Sequence, residues 1–178
     1  MKTINKFLAQ AIDCYPGNLE ASIEALDYAL SYDDKNTMTL CLYGRLMSEQ
    51  LLRFEEAKSF FERALAIDIN AVEIYPHYIR TLANNEDFEQ AKKLAAFAIT
   101  VKGINKYQLA EAKIDLFEKM HAFDEAESAI AEAKLWHVCS WDLNDLEAAE
   151  KRIKMKRDLV DGKQPNQKNK KKKKEKAA

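Results

Sequence analysis

The apolar positions of this chain recur at a long, steady interval. Phe54-Glu55-Glu56-Ala57, Phe88-Glu89-Gln90-Ala91 and Phe123-Asp124-Glu125-Ala126 open three similar patterns 34 and 35 residues apart, and Leu19-Glu20-Ala21-Ser22 opens a weaker copy 35 residues earlier. The columns read Leu19/Phe54/Phe88/Phe123, Ser22/Ala57/Ala91/Ala126, Leu26/Phe61/Ala95/Ile130 and Ala29/Ala64/Ala98/Ala133. Steps of 3, 4 and 3 residues within each copy trace one stripe of a 3.6-residue helix. Ahead of each copy, Leu8/Tyr43/Tyr78/Lys113, Ala9/Gly44/Ile79/Ile114 and Ile12/Met47/Leu82/Phe117 recur every 35 residues and again have helical spacing. The pattern predicts helix, short turn, helix, used four times.

Steric reasoning explains the small residues. Helices approach to about 8–10 Å only where side chains are small, so the alanine columns mark crossings and the large residues fill between them. One such hairpin cannot bury its own apolar face, so neighbours must stack. Pro16-Gly17 and Asn84-Asn85 are turn signals, Gly103 is a helix terminator, and Asn36 and Asn70 stand where N-caps are expected. Pro76 must fall in the first turn of its helix. After the fourth copy, Asp142 to Asp161 predicts one more amphipathic helix, with Leu143, Leu146, Ala149 (or Ala148), Ile153 and Leu159 as its stripe. Its expected duty is to close the open end of the stack.

These columns resemble the tetratricopeptide repeat, whose signature of a small residue after the aromatic, a bulky residue four on and an alanine three beyond is matched by Ala57, Phe61 and Ala64. Tyr43-Gly44 matches the Leu-Gly-like pair of the family's first helix. The family's tryptophan early in that helix is replaced by Asn5, Leu40, Tyr75 and Ala110, and its closing proline by Asp34, Ile69, Gly103 and Val138. The first two copies carry one extra residue in the inner turn. The resemblance implies an all-α, right-handed superhelical stack over residues 2–137, with repeats at 2–35, 36–70, 71–104 and 105–137. A capping helix at 138–161 and a disordered basic tail at 162–178 are expected to follow.

Composition agrees with helix: four glycines and three prolines in 178 residues leave few breaking points. Charge adds an asymmetry. Lys163 to Ala178 holds eight lysines against Glu175, a net of +7, leaving 20 basic and 28 acidic groups, a net of −8, on residues 1–162. The run Lys170, Lys171, Lys172, Lys173 and Lys174 has too little apolar content to offset ordering entropy, and it is a candidate arm for nucleic acid or an anionic surface. Cys14, Cys41 and Cys139 are scattered, which fits a reducing, cytoplasmic setting. No stretch approaches the ~20 apolar residues of a membrane span.

Candidate chemistry changes the picture little. His77, His121 and His137 fall in separate elements, and His137-Val138-Cys139 lacks the further ligand pair of a structural zinc. There is no Gly-rich phosphate loop, GxSxG or HExxH. The expectation is a non-enzyme without cofactor, metal or small-molecule substrate. It is read as an adaptor or scaffold holding another protein's peptide or helix. The alternatives are a chaperone for an exported or assembled client and a nucleic-acid- or ribosome-associated factor acting through the tail.

The family resemblance implies a concave groove lined by the first helices. Candidate groove residues are Gln10, Met38, Cys41, Tyr43, Arg45, Ser48, Tyr75, Arg80, Asn84 and Asp115. Gln10, Arg45, Arg80 and Asp115 form one column at intervals of 35, and stacking places such a column on one ridge. Arg45 and Arg80 are the expected polar anchors, able to grip a carboxylate or carbonyl; pairing with neighbouring glutamates such as Glu49 or Glu73 is the competing expectation.

Overall fold

The computed structural model describes residues 5–136 and 139–162. Among these the chain forms nine helices and no strand: α1 (Lys6–Cys14), α2 (Leu19–Tyr32), α3 (Thr37–Glu49), α4 (Phe54–Ile67), α5 (Ile74–Asn84), α6 (Phe88–Ala98), α7 (Lys106–Lys119), α8 (Phe123–Trp136) and α9 (Ser140–Val160). They pack as α1 on α2, α3 on α4, α5 on α6 and α7 on α8. Successive pairs meet through α2/α3, α4/α5 and α6/α7, while α5 touches both α3 and α7, and α9 lies on α8.

The second helices begin at Leu19, Phe54, Phe88 and Phe123, the residues that open the recurring pattern. Their alanine columns are buried: Ala57, Ala64, Ala91, Ala98, Ala126 and Ala133 are all fully covered. The tightest crossing is Gly44 on α3, where an added Cβ would stand 2.8 Å from two ring carbons of Phe61. Phe61 is itself fully buried. The next unit has the sizes reversed, with buried Ile79 and Ala95.

Three of the four inner turns use one device. Leu52, Glu86 and His121 each stand two residues before the second helix and take left-handed backbone, at φ 55°, 63° and 57°. In the third and fourth turns the following amide reaches five residues back, Asp87 N–H to the Leu82 carbonyl and Ala122 N–H to the Phe117 carbonyl, both at 2.9 Å. The paired bonds Glu86 N–H to Ala83 and His121 N–H to Glu118 complete a Schellman-type closure. The first two turns, 15–18 and 50–53, are one residue longer than 85–87 and 120–122.

Caps follow chemistry read from the sequence, with one correction. The side chains of Asn5, Asn18, Asn36 and Asn105 accept helix-start amides. Asn70 does not cap α5. Its amide donates to Asp68 Oδ1, and Ile74 N–H donates to the Ala71 carbonyl, so an extra turn precedes the helix. Pro76 still falls in the first turn of α5. Gly103 (φ 90°) turns the chain after α6, several residues past the helix end at Ala98.

Two apolar clusters fill the interior. One runs from Leu8 on α1 through Leu116 on α7; the other joins Ala110, Ile114, Phe123 and Ile130 to Leu146, Ala149 and Ile153 of α9. From the expected α9 stripe, Leu143 is half-buried and Leu159 is exposed. The lysine run 170–174 lies outside the described residues, as does His137.

Candidate functional site

The first helices α1, α3, α5 and α7, with α9 beyond them, carry two recesses. The first, of about 160 Å³, is lined by Leu8 and Ile12 of α1, Met38, Cys41, Leu42 and Arg45 of α3, Glu73 ahead of α5 and His77 on it. Its floor is apolar because Leu8, Cys41 and Leu42 are buried, and its wall includes Ile12, which is 44% exposed. Small-molecule sites run to roughly 300 Å³ and more, so this recess has room for one aliphatic side chain.

Beside it, three neighbouring elements converge on Glu49 at the end of α3. The Tyr15 hydroxyl donates to Glu49, Arg45 Nε donates to its Oε1 at 3.3 Å, and His77 Nδ1 lies 3.5 Å from the same oxygen. The Arg45 guanidinium also covers the Tyr15 ring, 5.0 Å from its centroid. Burial alone would raise the Glu49 carboxyl, but the contacts from His77, Tyr15 and Arg45 outweigh it and hold it at about 2. Burial, helped by Arg45 and Arg80, pushes the His77 imidazole below its ordinary value against the pull of Glu49, so it is neutral at pH 7.

The second recess, about 270 Å³, lies between α7 and α9 and is lined by Arg80, Glu111, Ile114, Asp115, Asp145, Leu146, Ala148, Ala149 and Arg152. Arg80 Nε donates to Asp115 Oδ2 at 2.9 Å, and its Nη2 lies 3.6 Å from Glu111 Oε2. Arg152, also on the lining, grips Glu118 with two bonds, at 2.8 and 2.7 Å. Three carboxylates therefore face two guanidinium groups, and the recess is electronegative. Burial pushes the Glu111 carboxyl up despite Arg80.

The expected groove residues divide into two groups. Met38, Cys41, Arg45, Arg80 and Asp115 line the recesses, while Gln10 and Asn84 are exposed on the same set of helices. Tyr43, Ser48 and Tyr75 lie in the interior and offer no surface to a ligand. Tyr43 stacks on Phe60 with centroids 4.5 Å apart and donates to Asp27 at 2.8 Å. Burial, reinforced by Asp27, pushes its hydroxyl up to about 12. Tyr75 is fully buried and donates to the Ile69 carbonyl at 2.6 Å. Ser48 accepts from the Thr81 hydroxyl at 2.9 Å, a buried link between α3 and α5.

The arginines are held by acids rather than left open as anchors. Arg45 takes Glu49, as one expectation had it, and Arg80 takes Asp115 and Glu111. The contact between Arg80 and Asp115 joins two members of the recurring column, 35 positions apart. Glu118 with Arg152, 34 positions apart, is the same kind of pair, and Arg152 was absent from the candidate residues. Opposite charges one period apart are the signal that would have found it.

Among the described residues, no group of three or more His, Cys, Asp or Glu side chains is arranged to hold a metal ion, and no helix is long and apolar enough to cross a membrane. Comparisons with models of known protein families, with curated protein sequences and with solved structures find no match to this chain.

Proposed function

We propose that the chain is a tetratricopeptide-type scaffold, a right-handed superhelical stack of four hairpins, that binds a segment of another protein along its first helices without chemistry of its own. The observation that carries this reading is the apolar recess between α1, α3 and α5, open to solvent and sized for one side chain. The common starts of α2, α4, α6 and α8 and the shared left-handed turn residues support equivalent hairpins.

The charges indicate what kind of segment fits. With Arg45 and Arg80 already neutralised by acids, a carboxylate ligand would have to break an existing pair. In the second recess the carboxylates of Glu111, Asp115 and Asp145 outnumber the guanidinium groups of Arg80 and Arg152 by one, and that excess favours a lysine or arginine. The favoured ligand therefore places an aliphatic residue in the first recess and a basic residue towards the second. Burying a leucine-sized anchor contributes about 2 kcal/mol.

Selection of peptides from a random display library on the full-length protein tests this. Enriched sequences are expected to share an aliphatic anchor followed by Lys or Arg, and Ile12→Glu with Met38→Glu is expected to weaken them about 10- to 100-fold with the helical circular dichroism unchanged. Enrichment of acidic peptides, or affinity indifferent to this double change, would overturn the reading.

A further inference from the structure

Helix α9 has two apolar faces, and one of them is bare. Leu146, Ala149 and Ile153 are buried in the cluster shared with α7 and α8. On another side Trp141 (76% exposed), Ala148, Met155 (63%) and Leu159 (66%) form a second line. Steps of 7, 7 and 4 residues keep that line within a narrow arc of a 3.6-residue helix. Residues 163–178 contain no Val, Leu, Ile, Met or aromatic side chain, so they have nothing with which to cover it.

The line is symmetric about Ala148, with Trp141 seven residues before it and Met155 seven after. Charge divides at nearly the same point. Asp142, Asp145, Glu147 and Glu150 occupy the first half of the helix, and Lys151, Arg152, Lys154, Lys156 and Arg157, with Asp158 as the exception, the second.

We propose that this face binds a second copy of the chain, the two α9 helices crossing antiparallel at Ala148, which also lines the second recess, so that the dimer and a ligand in that recess are alternatives. Small side chains at the crossing let the axes approach to about 8–10 Å. Trp141 then packs on Met155 of the partner subunit, and Met155 on the partner subunit's Trp141, a sulfur–aromatic pairing made twice. The antiparallel orientation sets each acidic half over a basic half. A parallel pairing would oppose like charges, so charge selects the orientation as well as the partner.

Sedimentation velocity of the full chain, from micromolar to several hundred micromolar, is expected to show a monomer–dimer equilibrium. Trp141→Glu with Met155→Glu is expected to weaken it by about 30-fold or more. In a Cys139→Ser background, Ala148→Cys is expected to form a disulfide-linked dimer on mild oxidation. Lys154→Cys, pointing away from the line, is expected to remain monomeric. Removing residues 163–178 leaves the equilibrium unchanged. A monomer at every concentration, a dimer indifferent to the double change, or a dimer lost with residues 163–178 would overturn the proposal. If the double variant loses helicity, the contrast in cross-linking between Ala148→Cys and Lys154→Cys decides.

Discussion

The seam between α3/α4 and α5/α6 and the seam between α7/α8 and α9 meet the same packing demand with different materials. At the first, aromatic rings dominate. Phe61 of α4 stacks on Tyr78 of α5 at 5.4 Å between centroids, the Tyr78 hydroxyl donates to Glu62 at 2.9 Å, and Tyr43 stacks on Phe60 just behind, within α3/α4. At the second, the buried residues from α9 are Leu146, Ala149 and Ile153, and charges do more of the holding. Arg152 and Lys156 grip Glu118, Arg157 reaches Asp124 and Glu127, and Lys134 reaches Glu150. Packing of buried rings is nearly indifferent to salt and moderate pH, whereas half-exposed ion pairs are screened and titrated. The middle of the molecule should therefore set global stability, and α9 should come and go with solution conditions.

The largest test of that contrast is Phe61→Ala. Phe61 is fully buried between Gly44 and Tyr78, and its loss is expected to cost about 3–5 kcal/mol in chemical denaturation, melting the whole array. A cost comparable to a surface change would mean that the ring seam is not the keystone.

Gly44→Ala should come next, at about 1–3 kcal/mol, because the new methyl meets the Phe61 ring at 2.8 Å. Combining it with Phe61→Leu should restore part of that loss, so the two changes should be strongly non-additive. Strict additivity would mean that the close approach carries no energy.

Glu118→Gln is the smallest and most local. Glu118 is 6% exposed, and the Arg152 bonds, aided by Lys156 and opposed by burial, hold its carboxyl at about 2 against an ordinary 4.5. A depressed carboxyl contributes its stability fully above about pH 4.5 and loses it as pH falls towards 2. Arg152 and Lys156 are half-exposed and regain water when released, so the change is expected to cost about 1–2 kcal/mol. Hydrogen exchange should show faster opening of α9 in the variant, and in the parent protein below about pH 4, with α3–α6 protected. Uniform loosening of both regions would erase the comparison.

Much of the helical layout was legible in the sequence. The starts of α2, α4, α6 and α8 coincide with Leu19, Phe54, Phe88 and Phe123, because a small-residue column at helical spacing has one reasonable packing partner. Asn36 was legible as a cap, whereas Asn70 was not, since the extra turn before α5 depends on Asp68 and Ala71 carbonyl geometry that composition does not encode. The groove was legible only in part. Tyr43 and Tyr75 carry hydroxyls and resemble surface residues, yet Asp27 and the Ile69 carbonyl satisfy those hydroxyls inside. A one-dimensional pattern places a residue on a helix face; it does not say which neighbouring unit supplies a partner. The bare α9 line escaped notice because Trp141, Met155 and Leu159 only stand apart once the other face is seen to be covered.

The hydroxyl link from Thr81 to Ser48 has a consequence for how the body bends. A neutral bond sealed between α3 and α5 cannot be weakened by counterions, and sliding one helix past the other would take from Ser48 its Thr81 partner, while Thr81 keeps the His77 carbonyl of its own helix. The neighbouring link, Arg80 to Asp115 between α5 and α7, is a partly solvated ion pair that brine weakens. Raising ionic strength should thus loosen the α5–α7 contact while leaving the α3–α5 contact locked, giving the body one stiff joint and one compliant joint.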